Sequence, residues 1–106
     1  MPKYLFQASY TREGLQGLLS EGGTQRREAV ESMAAALGGS VEAFYYAFGD
    51  YDLYVIAELP DDATATAASL VVGASGAGSV KTTVLIGPET VDEATAKAVS
   101  YRPPAS

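Results

Sequence analysis

The chain contains no cysteine and no histidine. Without them there is no disulfide, thiolate nucleophile, imidazole base or Ser-His-Asp triad, and almost none of the ligand sets that hold zinc, copper or haem. A hard cation held by carboxylates is left open, but the acidic residues nowhere fall at EF-hand spacing, so neither a metal nor a cofactor is expected. Basic residues are scarce: seven Lys and Arg stand against thirteen Asp and Glu, a net charge of −6. Such a surface repels phosphate backbones and anionic headgroups, so no nucleic-acid or membrane partner is expected. The one adjacent basic pair, Arg26 and Arg27, falls at the start of a predicted helix and reads as part of a solvated face. No apolar run approaches the ~20 residues that span a bilayer. MPKYLFQASY lacks the leader, apolar core and cleavage pattern of a signal peptide, so a cytoplasmic location is expected.

What is present is enough for one domain. A chain of 106 residues buries roughly 60–70% of its unfolded surface, which leaves no room for a second core. With 47% hydrophobic and 19% charged residues, it has the composition of a folding sequence and not of a disordered one. The expected domain covers residues 1–100, with 101–106 (YRPPAS) as a flexible tail.

Hydrophobic periodicity gives the element order. Lys3 to Tyr10 alternates Tyr4, Phe6, Ala8 and Tyr10 against Leu5, Gln7 and Ser9, a strand with two partly apolar faces. From Thr11 to Gly23, Leu15, Leu18 and Leu19 have helical spacing, yet four glycines limit the segment to a short helix. Thr24 is the expected N-cap of a helix carrying Val30, Met33, Ala34 and Leu37 on one face and stopped by Gly38 and Gly39. Strands follow near 41–48 and 52–59. Pro60 and Asp61 open a second helix, in which Ala63, Ala67, Leu70, Val71 and Ala74 form a narrow stripe. GASGAGS, residues 73–79, breaks it, and the β-branched VKTTVLIG (80–87) reads as the last strand. Thr90 and Glu93 match the capping box, with Thr90 as N-cap of a third helix running to about Val99.

The fold class is therefore α+β: a ferredoxin-like βαββαβ antiparallel sheet with its helices on one face, plus a C-terminal helix. The hairpin VEAFYYAFGDYDLYVIAELP (41–60) shows why a partner is needed, because neither strand alternates cleanly between apolar and polar residues. If its turn has an even length, Phe44, Tyr46 and Phe48 share the helix-covered face with Leu53, Val55 and Ala57. Tyr45, Tyr54, Ile56 and Glu58 then line the bare face, flanked by Ala43, Ala47 and Asp52; an odd-length turn exchanges part of this assignment. Four short strands present several hundred Å², beyond the ~300–600 Å² largest patch of a typical monomer. At ~25 cal/mol per Å², covering that face is worth on the order of 10 kcal/mol before association costs, so a second copy of the chain is the expected partner.

The hairpin tip AFGDYDLY, the first strand MPKYLFQASYTREG and the segment GSVKTTVL (78–85) together resemble the signature of the GYD-domain proteins, over about Pro2 to Ile86. The resemblance implies a ferredoxin-like domain of the dimeric α+β barrel type, in which two sheets face each other. It implies little about activity.

Candidate site residues come from the strand ends and the bare face. Gly49, Asp50, Tyr51 and Asp52 read either as a hairpin turn, with Gly49 at positive φ, or as a carboxylate-bearing mouth of a cavity. Glu58, with Tyr45 and Tyr54, is the candidate ligand-binding set. Enclosed in an apolar cavity its carboxylate would act as a base, unless Lys81 or a lysine of the second copy paired with it. Pro2, exposed by loss of Met1, has the secondary amine used by tautomerases, but the strand order differs from theirs. GASGAGSVKT (73–82) lacks the GK[ST] of a phosphate loop and precedes a strand, not a helix, so it is set aside.

Three functions are open at this level. The first is a homo-oligomeric protein binding a small apolar or aromatic molecule between the sheet and its partner. The second is a cofactor-independent isomerase, tautomerase or oxygenase with Glu58 or Asp52 as general base. The third is a sensor or assembly subunit interacting through the sheet face.

Overall fold

The alternation in the first strand is realised as β1 (Lys3–Tyr10), the central element of the sheet. The computed structural model describes residues 1–105. After β1 come α1 (Arg12–Glu21), α2 (Gly23–Ala36), β2 (Ser40–Tyr46), β3 (Leu53–Glu58), α3 (Asp62–Ala74), β4 (Gly78–Leu85) and α4 (Pro88–Thr95). The sheet is fully antiparallel in the order β2-β3-β1-β4, the arrangement that two right-handed crossovers produce from this element order. The expected α+β, ferredoxin-like fold is present.

Register follows the even-turn assignment. The connection from β2 to β3 has six residues, 47–52, and pairs Phe44 with Val55, Tyr45 with Tyr54 and Tyr46 with Leu53. Tyr4, Phe6 and Ala8 of β1 lie opposite Ala57, Val55 and Leu53, on the helix side. Leu5, Gln7, Tyr54, Ile56 and Tyr45 consequently share the open face. A bulge at Glu42 separates the Val41–Ala57 pair from the Ala43–Ile56 pair. That extra residue resets parity, so Val41 joins Phe44 on the helix side.

Several local expectations are corrected. α1 is a full ten-residue helix, because Thr11 caps it by accepting from the Gly14 amide and Gly14 lets its first turn lie against the Ala77 carbonyl. α2 begins at Gly23 with Gly22 as N-cap, not Thr24; α1 ends at that same glycine, whose φ of 85° turns the chain between the two helices. α3 presents Ala65 and Ala68 to the sheet, with Val72 half-buried beneath them. The residues expected as a stripe, Ala63, Ala67, Leu70, Val71 and Ala74, are instead exposed, Leu70 and Val71 by about two-thirds, with Val71 at the border of the cleft between α2 and α3. The N-cap explains the rotation: Asp61 accepts from the Thr64 amide and hydroxyl, while Tyr4 donates to Asp62 at 2.7 Å. These bonds set the angle of the helix more firmly than its weakly amphipathic sequence does. α4 begins at Pro88 with Gly87 as N-cap and ends at Thr95, so Thr90 is internal and no capping box forms. Proline at the first helical position is pre-organised for the start and competes with Thr90 for it.

The packed core occupies one end of the helix layer. Tyr4, Leu59, Ala57 and Ala65 form a buried cluster, with Leu37 and Phe6 against it. Gly39 is required there, because a side chain at this position would run into the Glu58 carbonyl. At the other end the tip of the β2–β3 hairpin is tied to β1. The Asp52 amide donates to the Ala8 carbonyl, and the Asp52 carboxylate accepts from the Tyr10 amide at 2.8 Å. Positive φ falls on Phe48, not Gly49: the Phe48 ring stacks on Tyr46 at 5.8 Å, and that contact compensates a backbone conformation unusual for a bulky residue.

After β4 the chain leaves the body. α4 makes no substantial contact with the sheet or the other helices, and every residue from Ile86 to Ala105 is exposed. The molecule measures 56 × 34 × 22 Å with a radius of gyration of 17.1 Å, against ~13 Å for a compact chain of this length. Within the 101–106 tail, Ser106 lies outside the described residues. No helix among the described residues is long and apolar enough to cross a membrane.

Candidate functional site

α2 packs on β2 and α3 packs on β4, and between the two helices the sheet is left partly uncovered. The result is a cleft of about 420 Å³, inside the 300–1,000 Å³ range of small-molecule sites. Its floor is Phe6, Leu53 and Val55 from the sheet; α2 contributes Val30 and Met33, and α3 contributes Ala68 and Val72. The space follows from side-chain volume. At the closed end Tyr4, Leu59 and Leu37 fill the gap between the helices, whereas further along α3 offers only alanine, serine and valine.

Polar groups gather where the cleft meets the end of β1. Tyr10, Arg26 and Ser75 border it there, while Ser69 lies further in, its hydroxyl against that of Thr82. Tyr46 donates its hydroxyl to the Gly23 carbonyl at 3.2 Å, and the Tyr10 hydroxyl lies beside that of Tyr46. Burial pushes the Tyr10 phenol up to about 12, with Tyr46 adding to the effect and the Arg26 guanidinium opposing it. Burial likewise raises Tyr46. Both phenols are therefore protonated at neutral pH. Arg26 is pinned by Glu21 at 3.5 Å, which offsets its charge. A second cavity of about 360 Å³, under α1, shares Tyr10, Arg26, Ser75 and Ala77 with the first, so the polar end opens on both sides.

The residues singled out from sequence lie elsewhere. Tyr45 and Tyr54 are paired on the open face of the sheet, Glu58 lies on the same face at the opposite end of β3, and none of the three lines either cavity. Glu58 pairs with Lys3 at 3.8 Å, and Lys3 with Glu42 at 3.0 Å; the lysine expected opposite Glu58 is thus Lys3 in place of Lys81. The hydrogen bond to Glu42 is the main cause of a raised Lys3 pKa. Asp52 is committed to the Tyr10 amide. Gly49 and Asp50 are exposed at the hairpin tip, and Tyr51 packs edge-on against Tyr54 at 6.1 Å. Among the described residues no group of three or more Asp or Glu is placed to hold a metal ion.

Sequence reasoning passed over Tyr10, Tyr46 and Arg26 as site residues. The signal for Tyr10 was its parity with Tyr4 and Phe6, which puts it on the helix side of the sheet. For Arg26 it was the spacing to Val30 and Met33, which brings its stem onto the inward face of α2.

A four-stranded antiparallel sheet with all its packed helices on one side, one face open and a cleft under the helices, defines a ferredoxin-like α+β domain. The GYD domain model matches residues 4–95, and the chain belongs to that family. No curated protein and no solved structure matches it.

Proposed function

We propose that this protein binds a small, largely apolar molecule in the cleft between α2, α3 and the sheet, and that it pairs with a second copy through the open sheet face. The observation that carries the first part is the cleft itself: its lining is apolar except for a phenol-rich end, the composition that fits an apolar or aromatic ligand with one hydrogen-bonding group. Tyr10 would meet that group. Pairing rests on Leu5, Tyr45, Tyr54 and Ile56, which share a face that no helix covers, Tyr45 being 71% exposed. In this reading Tyr45 and Tyr54 belong to the interface, and the ligand lies on the opposite side of the sheet from them. The base role considered for Glu58 or Asp52 gains no support from geometry, because neither lines the cleft.

The test is titration with the apolar fluorophore N-phenyl-1-naphthylamine, combined with native mass spectrometry of the purified chain. One probe per chain is expected, with affinity reduced by a cleft substitution such as Val72→Trp and unchanged by Ile56→Glu. The reverse pattern would move the ligand to the open face and overturn the proposal.

A further inference from the structure

The polar side chains on the cleft lining are Tyr10, Arg26, Ser69 and Ser75, and their hydrogen bonds decide what each can still offer a ligand. A carbonyl oxygen only accepts, so a hydroxyl bonded to one has committed its proton. Ser69 donates to the Ala65 carbonyl at 3.1 Å, and Ser75 donates to the Val72 carbonyl at 2.6 Å. Beside Tyr10, Tyr46 donates to the Gly23 carbonyl at 3.2 Å. The hydrogen bond between the two phenols therefore runs from Tyr10 to Tyr46. Every hydroxyl on the lining is left with lone pairs and no free proton. Two of these oxygens are already met, Ser69 by the Thr82 hydroxyl and Ser75 by the Ala77 amide at 3.2 Å. The Tyr10 oxygen is left to accept.

Charge points the same way. Among the described residues Arg26 is the one charged side chain on the cleft lining, and Glu21 holds it at 3.5 Å. In the adjoining cavity the carboxylates of Glu13 and Glu21 share the lining with this single guanidinium, so the polar end does not attract an anion. We propose that the cleft selects an apolar or aromatic molecule whose polar end is a neutral hydrogen-bond donor, an alcohol, phenol or N–H, accepted by Tyr10. An ether or carboxylate of the same shape is rejected, because it would set one acceptor against another in a site that excludes water. This rests on the reading above that the cleft is the ligand site.

The test is displacement of N-phenyl-1-naphthylamine, itself an N–H donor, by 1-naphthol, 1-methoxynaphthalene and 1-naphthoate at pH 7. The naphthol should bind about tenfold more tightly than either of the others, the effect of one buried hydrogen bond. Apolar burial alone would favour the ether. Tyr46→Phe keeps the ring but releases the Tyr10 proton, and Tyr10→Phe removes the acceptor, so in both variants the preference for naphthol over the ether should fall below about threefold. Equal binding of naphthol and ether to the unaltered chain, a preference for naphthoate, or a naphthol preference that survives both phenol substitutions would overturn the donor rule while leaving the cleft as the site. Probe binding that Val72→Trp leaves unchanged would overturn the cleft reading and the donor rule together.

Discussion

Ala68→Leu gives opposite signs depending on whether the cleft is open space. Ala68 is buried in the middle of α3, 7% exposed, and borders the cavity. The substitution adds three carbons, and at ~0.8 kcal/mol per buried methylene it can gain at most about 2 kcal/mol if they enter empty volume. Some of that is lost in fixing the new rotamer, so the expected gain is about 1–2 kcal/mol. In a closely packed interior the same change costs about 1–3 kcal/mol through displaced neighbours. Urea denaturation at constant protomer concentration separates the two, concentration being held because pairing adds to apparent stability. With an m-value of about 1–3 kcal/mol/M, the midpoint should rise by roughly 0.5–1 M without a change in slope. The naphthylamine probe should bind at least tenfold more weakly, since the leucine occupies its space. A lower midpoint with undiminished probe binding would refute the cleft as the binding site.

The remaining predictions concern the packed end and the titrating groups. Leu59→Ala removes one of the two most deeply buried large side chains and should cost about 2–5 kcal/mol, read as a lower urea midpoint. Because Tyr10 has its phenol raised to about 12 in the folded chain from 10.0, the unfolded chain releases that proton first. Its contribution is complete below pH 10 and is lost as pH rises through about 12, and Tyr10→Phe should flatten this alkaline limb of stability. Asp61 runs the other way. The Thr64 hydroxyl and amide hold its carboxyl below 3.8, so its contribution is present above that pH and is lost as pH falls through the lowered value. Asp61→Ala should reduce the melting temperature at pH 7 and narrow the gap between pH 7 and pH 3.

The reach of sequence reasoning is clearest when individual elements are compared. β1, α2 and β3 were legible because long periodic segments carry their own partner information: Tyr4, Phe6 and Ala8 alternate, and Val30, Met33, Ala34 and Leu37 recur at helical spacing. The facing of α3 was not legible. Its thirteen residues are nearly all small or apolar, so several stripes are almost equivalent, and hydrogen bonds from Tyr4 and Thr64 decide among them. α4 was misjudged in a similar way, since Thr90 and Glu93 have the capping spacing but Pro88 starts the helix earlier. The cleft was not legible for a further reason: it arises from side chains that are too small, and missing volume leaves little trace in a local pattern, whereas the aromatics and Glu58 of the open face stand out in the sequence.

By itself, then, the amino-acid order determined the element sequence, the antiparallel ferredoxin-like topology and the exclusion of thiol and imidazole chemistry, while the register of the β2–β3 turn fixed which hairpin residues share a face. The first three depend on residue identity or on periodicity within a few turns. Only the tertiary structure decided where the empty space lies, that Lys3 and not Lys81 meets Glu58, that Asp52 clamps β1, and that residues 86–105 are exposed throughout. Those outcomes depend on how volumes and bonds from distant segments add up once the helices settle on the sheet, and no stretch of the chain contains that sum.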